Sequence, residues 1–88
     1  MFKMWFKEIK SGRPIKDLTI ERPEEDSRTH KVFNSLDEAC QFFDLSRPIW
    51  LDKNITEFKR FSKTRFTKDC FIEEIPFDYL EIQIIEED

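Results

Sequence analysis

Apolar and charged positions alternate from residue 2 to residue 10. Phe2, Met4 and Phe6 fall on one side and Lys3, Trp5 and Lys7 on the other, the period-two pattern of a half-buried strand. Ser11 and Gly12 supply a turn. A second strand follows over residues 14–21, with Lys16, Leu18 and Ile20 on one face and Ile15, Asp17 and Thr19 on the other, and the short connection predicts an antiparallel hairpin. Residues 22–31, RPEEDSRTHK, hold no aliphatic or aromatic apolar residue and read as a mobile loop. Beyond Val32 and Phe33, Ser35 and Glu38 have the spacing of a capping box. A helix is therefore expected over 36–45, its stripe formed by Leu36, Ala39, Cys40 and Phe43 and its end set by Pro48, which disfavours helical geometry at Arg47.

A second helix is expected over 55–63, with Asn54 and Glu57 in the capping positions. At 100° per residue Ile55, Phe58, Phe61 and Ser62 share one arc, read as core, and Lys59, Arg60 and Lys63 form the adjoining flank. Extending the helix would carry Arg65 into the apolar arc, so Arg65 to Lys68 leave it. Residues 71–75 are a candidate extended piece, which Pro76 separates from a strand over 78–86, where Leu80, Ile82 and Ile84 alternate with Tyr79, Glu81, Gln83 and Ile85. The order predicts a single α+β domain over residues 1–88: a small, mainly antiparallel sheet made of the N-terminal hairpin and the C-terminal strand or strands, with two helices packed on one face.

Composition narrows the chemistry. Gly12 is the only glycine, which excludes the glycine-rich loops that cradle phosphates and dinucleotides. The net charge of −4 argues against a protein dedicated to coating duplex nucleic acid, whose affinity rests on neutralising phosphates. No apolar run reaches the roughly 18 residues of a membrane span, and the charged start does not read as a signal peptide, so a cytoplasmic protein with no membrane association is expected. There Cys40 and Cys70 are expected as reduced thiols. Ten Phe, two Trp and one Tyr exceed what a core of this size hides, and the surplus points to a protein partner or a homodimer.

Charge is segregated along the chain: residues 53–68 carry six Lys/Arg and one acid, Glu57, whereas residues 69–88 carry eight Asp/Glu and no base. Lys59, Arg60, Lys63, Arg65 and Lys68 are the candidate contacts for phosphates or an acidic partner, with Phe61 or Phe66 as a stacking platform. The competing reading makes the phenylalanines core and the bases a solvated flank facing Glu73, Glu74 and Glu81. Trp5, Trp50 and Tyr79 are the candidate protein-interface residues, because these types dominate interface hot spots, and an edge of the N-terminal hairpin is a further place for a partner strand to add.

No catalytic or metal residue is assigned, and no cofactor is expected. His30, Cys40 and Cys70 lack the paired spacing of structural zinc ligands, and a Cys40–His30 or Cys70–His30 pair has no further support as a nucleophilic site. Glu73 and Glu74, adjacent in sequence, point to opposite sides of an extended segment.

The words RTHKVF at 28–33, RPIWLDKNI at 47–55, EFKRF at 57–61, TRFTKDCFIE at 64–73 and FDYLEIQIIEED at 77–88 together resemble a group of short uncharacterised proteins from Firmicutes. That resemblance implies a bacterial cytosolic protein and carries no activity, ligand or partner with it. The expected function is a non-enzymatic protein-interaction module, as a homodimer or with another protein. The alternative is a nucleic-acid binder that uses the basic helix flank.

Overall fold

The computed structural model describes residues 1–23 and 25–87. Its elements are β1 (Phe2–Lys10), β2 (Arg13–Arg22), α1 (Arg28–Phe43), α2 (Asp52–Phe61), β3 (Lys63–Thr67), a 3-10 turn (Lys68–Cys70) and β4 (Tyr79–Glu86). The four strands form one antiparallel sheet in the order β2-β1-β4-β3. The predicted α+β class, the hairpin and the C-terminal strand all stand. Ser11 and Gly12 join β1 to β2 with φ of 53° and 77°, a two-residue loop in which both central residues are left-handed, as the twist of a hairpin favours.

Alternation decides what lies beneath the sheet. Phe2, Met4 and Phe6 of β1, Ile20 of β2, Phe66 of β3 and Leu80 and Ile82 of β4 share one core with Val32, Leu36, Ala39, Cys40 and Phe43 of α1 and Phe58 of α2. Both helices therefore cover the same face. Each fully buried Phe contributes roughly 1.5–3 kcal/mol through the surface it removes from water. Glu8, also on this face, is 3% exposed; its burial pushes the carboxyl pKa up, and the charge of Lys16, its neighbour on β2, opposes the shift.

Three expectations are corrected. First, α1 begins at Arg28, so the predicted loop over 22–31 shrinks; Glu24 within it, like Asp88, lies outside the described residues. The cap is Ser27, whose Oγ accepts a hydrogen bond from the His30 amide at 3.2 Å. Ser35 and Glu38 sit inside the helix and serve a tertiary contact instead: Arg22 donates from Nε to Ser35 Oγ (3.3 Å) and from Nη2 to Asn34 O (3.2 Å) and Glu38 Oε1 (2.7 Å). Second, no strand forms over 71–75. The fourth strand is β3, which carries Thr64 and Phe66 inward and Lys63 and Arg65 outward. Ser62, at φ 56°, turns the chain out of α2, and its carbonyl accepts the Ile84 amide at 2.9 Å, starting the pairing with β4. Third, α2 starts at Asp52 and buries Asn54 and Phe58. Ile55 and Phe61, expected in the core, are 40% and 62% exposed.

Asn54 is the polar hub of this corner. Its Oδ1 accepts the Leu51 amide (3.0 Å), and its Nδ2 donates to Thr64 Oγ1 (3.0 Å) and to the Arg65 carbonyl (2.9 Å). Cys70 Sγ approaches the same Oδ1 at 3.6 Å. One side chain thus ties the start of α2 to β3 and to the turn that follows it.

Candidate interaction site between the two helices

The three aromatic residues chosen from sequence do not share a surface. Trp5 and Tyr79 lie half-buried on the sheet face away from the helices, and Trp50 lies on the helical side, packed edge-on against Phe66 (4.9 Å), Phe58 (5.5 Å) and Phe33 (5.9 Å).

The outer sheet face is an ordered charge array. Register places Asp17, Lys7, Glu81 and Arg65 in one row across all four strands. Lys7 Nζ lies 2.8 Å and Arg65 Nε 3.2 Å from the Glu81 carboxylate, and Lys3 pairs with Glu86 (3.3 Å) and Glu21 (3.7 Å). The aromatic rings are covered from within the chain. Lys7 sits 3.9 Å above Trp5, whose Nε1 donates to Asp17 Oδ2 at 3.0 Å, and the Arg65 guanidinium lies 4.8 Å from the Tyr79 ring. Lys3, Lys7 and Arg65 are thus neutralised locally, and Lys63 has no ion pair among the described residues.

Glu81 is the hub of that array. Burial raises its pKa, but hydrogen bonds from Lys7 and Arg65 and the charges of Lys7 and Lys63 outweigh burial and hold the carboxyl below its ordinary 4.5. A carboxyl lowered by folding stabilises fully above its unfolded pKa, and that contribution disappears as pH falls through the folded value. Glu81→Gln is therefore expected to cost about 1–3 kcal/mol at neutral pH and to flatten the loss of stability below pH 4.5, both read from urea midpoints across a pH series.

The basic ridge proposed over α2 is divided. Lys59 and Arg60 are exposed on the helix, Lys63 and Arg65 belong to the outer face of β3, and Lys68 lies exposed in the 3-10 turn. Phe66 is 0% exposed and is not a stacking platform. Phe61 remains open, with the Arg60 guanidinium 5.3 Å from its ring.

The helices enclose a groove of about 330 Å³. Val32 and Phe33 line it from α1, Ile55 and Phe58 from α2, and Trp50 from the connector, with Arg28 and Lys59 at its edges. Helical geometry brings these residues together. Positions 28, 29, 32 and 33 face one side of α1, and positions 55, 58 and 59 face one side of α2. Phe33 and Ile55 are 44% and 40% exposed, and the contacts of Trp50 stiffen the wall between them. Of these residues, sequence reasoning selected Trp50 and Lys59 for function. Arg28, Phe33 and the outward aspect of Ile55 were missed. The available signal was the spacing of Val32, Leu36, Ala39 and Phe43, which extends the apolar stripe of α1 one turn upstream.

His30 and Cys40 do not converge, and Cys70 is buried against Asn54 whereas His30 is exposed. His30 and Cys40 are ten residues apart on α1, about 15 Å along the axis. His30 is exposed, with Nδ1 3.0 Å from Asp26 Oδ1, and Cys40 is buried, its thiol pushed up to about 11 mainly by burial. Glu73 accepts hydrogen bonds from the Ser46 amide (2.8 Å) and Oγ (2.9 Å), which lower its pKa. Among the described residues no group of three or more His, Cys, Asp or Glu is placed to hold a metal ion, and no helix is long and apolar enough to cross a membrane.

Comparison with known proteins finds no matching family model, no similar curated protein and no similar solved structure.

Proposed function

We propose that this chain is a non-enzymatic, cytosolic protein-interaction module that seats the apolar face of a partner segment in the α1/α2 groove. The observation that carries the proposal is the apolar lining itself. Phe33 and Ile55 stay exposed beside the rings of Trp50 and Phe58, a concave surface suited to an amphipathic helix that presents anchors at i, i+3, i+4 and i+7. The groove offers cations and apolar groups and no acid/base pair, which supports binding over catalysis. Two buried, unpaired thiols, Cys40 and Cys70, support a reducing cytosolic setting.

The test uses a synthetic amphipathic helix with leucine anchors and a glutamine polar face, titrated against the chain by NMR. Shifts are expected at Val32, Phe33, Ile55 and Phe58. Ile55→Glu is expected to weaken binding at least about tenfold while leaving the free energy of unfolding from urea denaturation within about 0.5 kcal/mol of the parent, because Ile55 is a surface position. Light scattering of both proteins reads the homodimeric form: a dimer that Ile55→Glu dissociates makes a second copy the occupant. Absence of both peptide binding and self-association overturns the reading.

Phe61 supports a second reading. It is 62% exposed beside Arg60 and near Lys63, the combination of ring and charge that single-stranded nucleic acids use. Titration with single-stranded oligothymidine at low salt separates the two. Salt-sensitive binding lost in Arg60→Glu favours nucleic acid, and absence of binding removes that reading.

A further inference from the structure

We infer that the segment received by the groove is acidic, and that Glu87 of this chain occupies the acidic position at its rim until the partner displaces it. The inference rests on the groove as the binding site and adds the partner's charge and an internal competitor.

Its first support is the distribution of charge around the groove. The lining contains two cations, Arg28 on the α1 wall and Lys59 on the α2 wall, and no carboxylate, although the chain as a whole carries a net charge of −4. On the outer sheet face an acidic segment meets bases already paired with Glu81, Glu86 and Glu21, and at Arg60 and Lys63 it meets the single ring of Phe61 rather than an apolar floor. At the groove it meets cations on both sides of an apolar floor. Such complementarity selects the partner and its orientation more than it adds affinity.

The second support is an acidic residue already paired with one of these cations. Glu87 directly follows β4, and its Oε1 lies 2.9 Å from Arg28 Nε. The guanidinium is held in position independently of that contact. Its Nη2 donates to Ser62 Oγ at 3.1 Å, and its carbon lies 5.7 Å from the Phe58 ring that lines the groove. Arg28 is thus a fixed carboxylate receptor at the groove edge. The Arg28 and Glu87 side chains are 42% and 40% exposed, so this ion pair is screened and weak, and a partner carboxylate anchored by its own apolar face exchanges with it readily. Lys59, across the groove, has no ion pair among the described residues and offers the partner a second contact.

The experiment compares three amphipathic helical peptides with one leucine stripe and a polar face of glutamate, glutamine or lysine. Binding is read from Trp50 fluorescence in a Trp5→Phe background, in which the emission reports the groove alone. The glutamate peptide is expected to bind tightest and the lysine peptide weakest, with the difference shrinking as salt rises. Glu87→Gln is expected to tighten the glutamate peptide by about two- to five-fold, the loss of a weak exposed competitor, and to leave the glutamine peptide unchanged. Lys59→Glu is expected to weaken the glutamate peptide at least about tenfold without changing the fold by circular dichroism. Equal binding of the glutamate and glutamine peptides, with no effect of Glu87→Gln, overturns the acidic-partner inference and leaves the groove reading intact. Failure of all three peptides to bind overturns both. A groove-dependent dimer in light scattering replaces the acidic segment with a second copy of the chain.

Discussion

Phe66→Ala is expected to lower the free energy of unfolding by about 3–5 kcal/mol, measured by urea denaturation at neutral pH. Phe66 is 0% exposed, faces inward as the fourth of the five residues of β3, and stands opposite Leu80 of β4 in the register. Truncation removes the edge-on contact with Trp50 at 4.9 Å and leaves a void that surrounding groups refill only in part, because β4 pins one side and α2 the other. The same substitution frees the Trp50 ring, so peptide binding in the groove is expected to fall with stability. Phe66→Leu, which keeps most of the volume, is expected to cost less. A loss from Phe66→Ala below about 1 kcal/mol, the typical size for an ordinary substitution, would show that β3 is not integrated into the core.

Asn54→Ala is expected to cost about 2–4 kcal/mol without creating a large cavity. The side chain is fully buried, and its removal strands the Leu51 amide, the Arg65 carbonyl and part of the bonding of Thr64 at once. Buried polar groups left without partners cost more than a net hydrogen bond contributes, which is why one small residue rivals an aromatic one. Asn54→Asp retains the acceptor for Leu51 but loses both donors and places a negative charge near Glu57, whose Oε1 accepts from Thr64 Oγ1 at 2.7 Å. It is expected to be at least as costly at neutral pH. Hydrogen exchange of the Leu51 and Lys63–Thr67 amides reads the consequence directly: exchange faster there than elsewhere locates the loss at the α2/β3 corner, and uniform exchange would contradict the role of Asn54 as its pin.

The elements differ in how far sequence revealed them. β1, β2 and β4 are legible because a strand with one covered face writes its own alternation into the chain. The start of α1 was misread because Ser35 and Glu38 have capping-box spacing, whereas Ser27, the true cap, is followed three residues later by His30. Local spacing does not distinguish a capping serine from one that receives Arg22. β3 was missed because its five residues follow a helix without a proline or glycine between them, and the left-handed turn falls on Ser62.

The candidate site was less legible than the fold. Trp50 and Lys59 were identified by residue type, but Trp5 and Tyr79 carry the same type signal and lie on the other face of the sheet under their own cations. Charge segregation between residues 53–68 and 69–88 was visible in sequence. Its meaning was not, since Arg65 is consumed by Glu81 while Lys59 stays open.

The sequence alone determined the α+β class, the tight hairpin at Ser11 and Gly12, and the strands whose apolar face repeats every second residue, because each follows from interactions among near neighbours. Tertiary structure decided which aromatics are core and which bases remain available. Phe58 is buried and Ile55 and Phe61 are not because β3 lies under only one side of α2, and β3 is held there by β4, some fifteen residues further along the chain. The groove exists because α1, α2 and the Trp50 connector converge above one sheet face, an arrangement that no helical wheel contains.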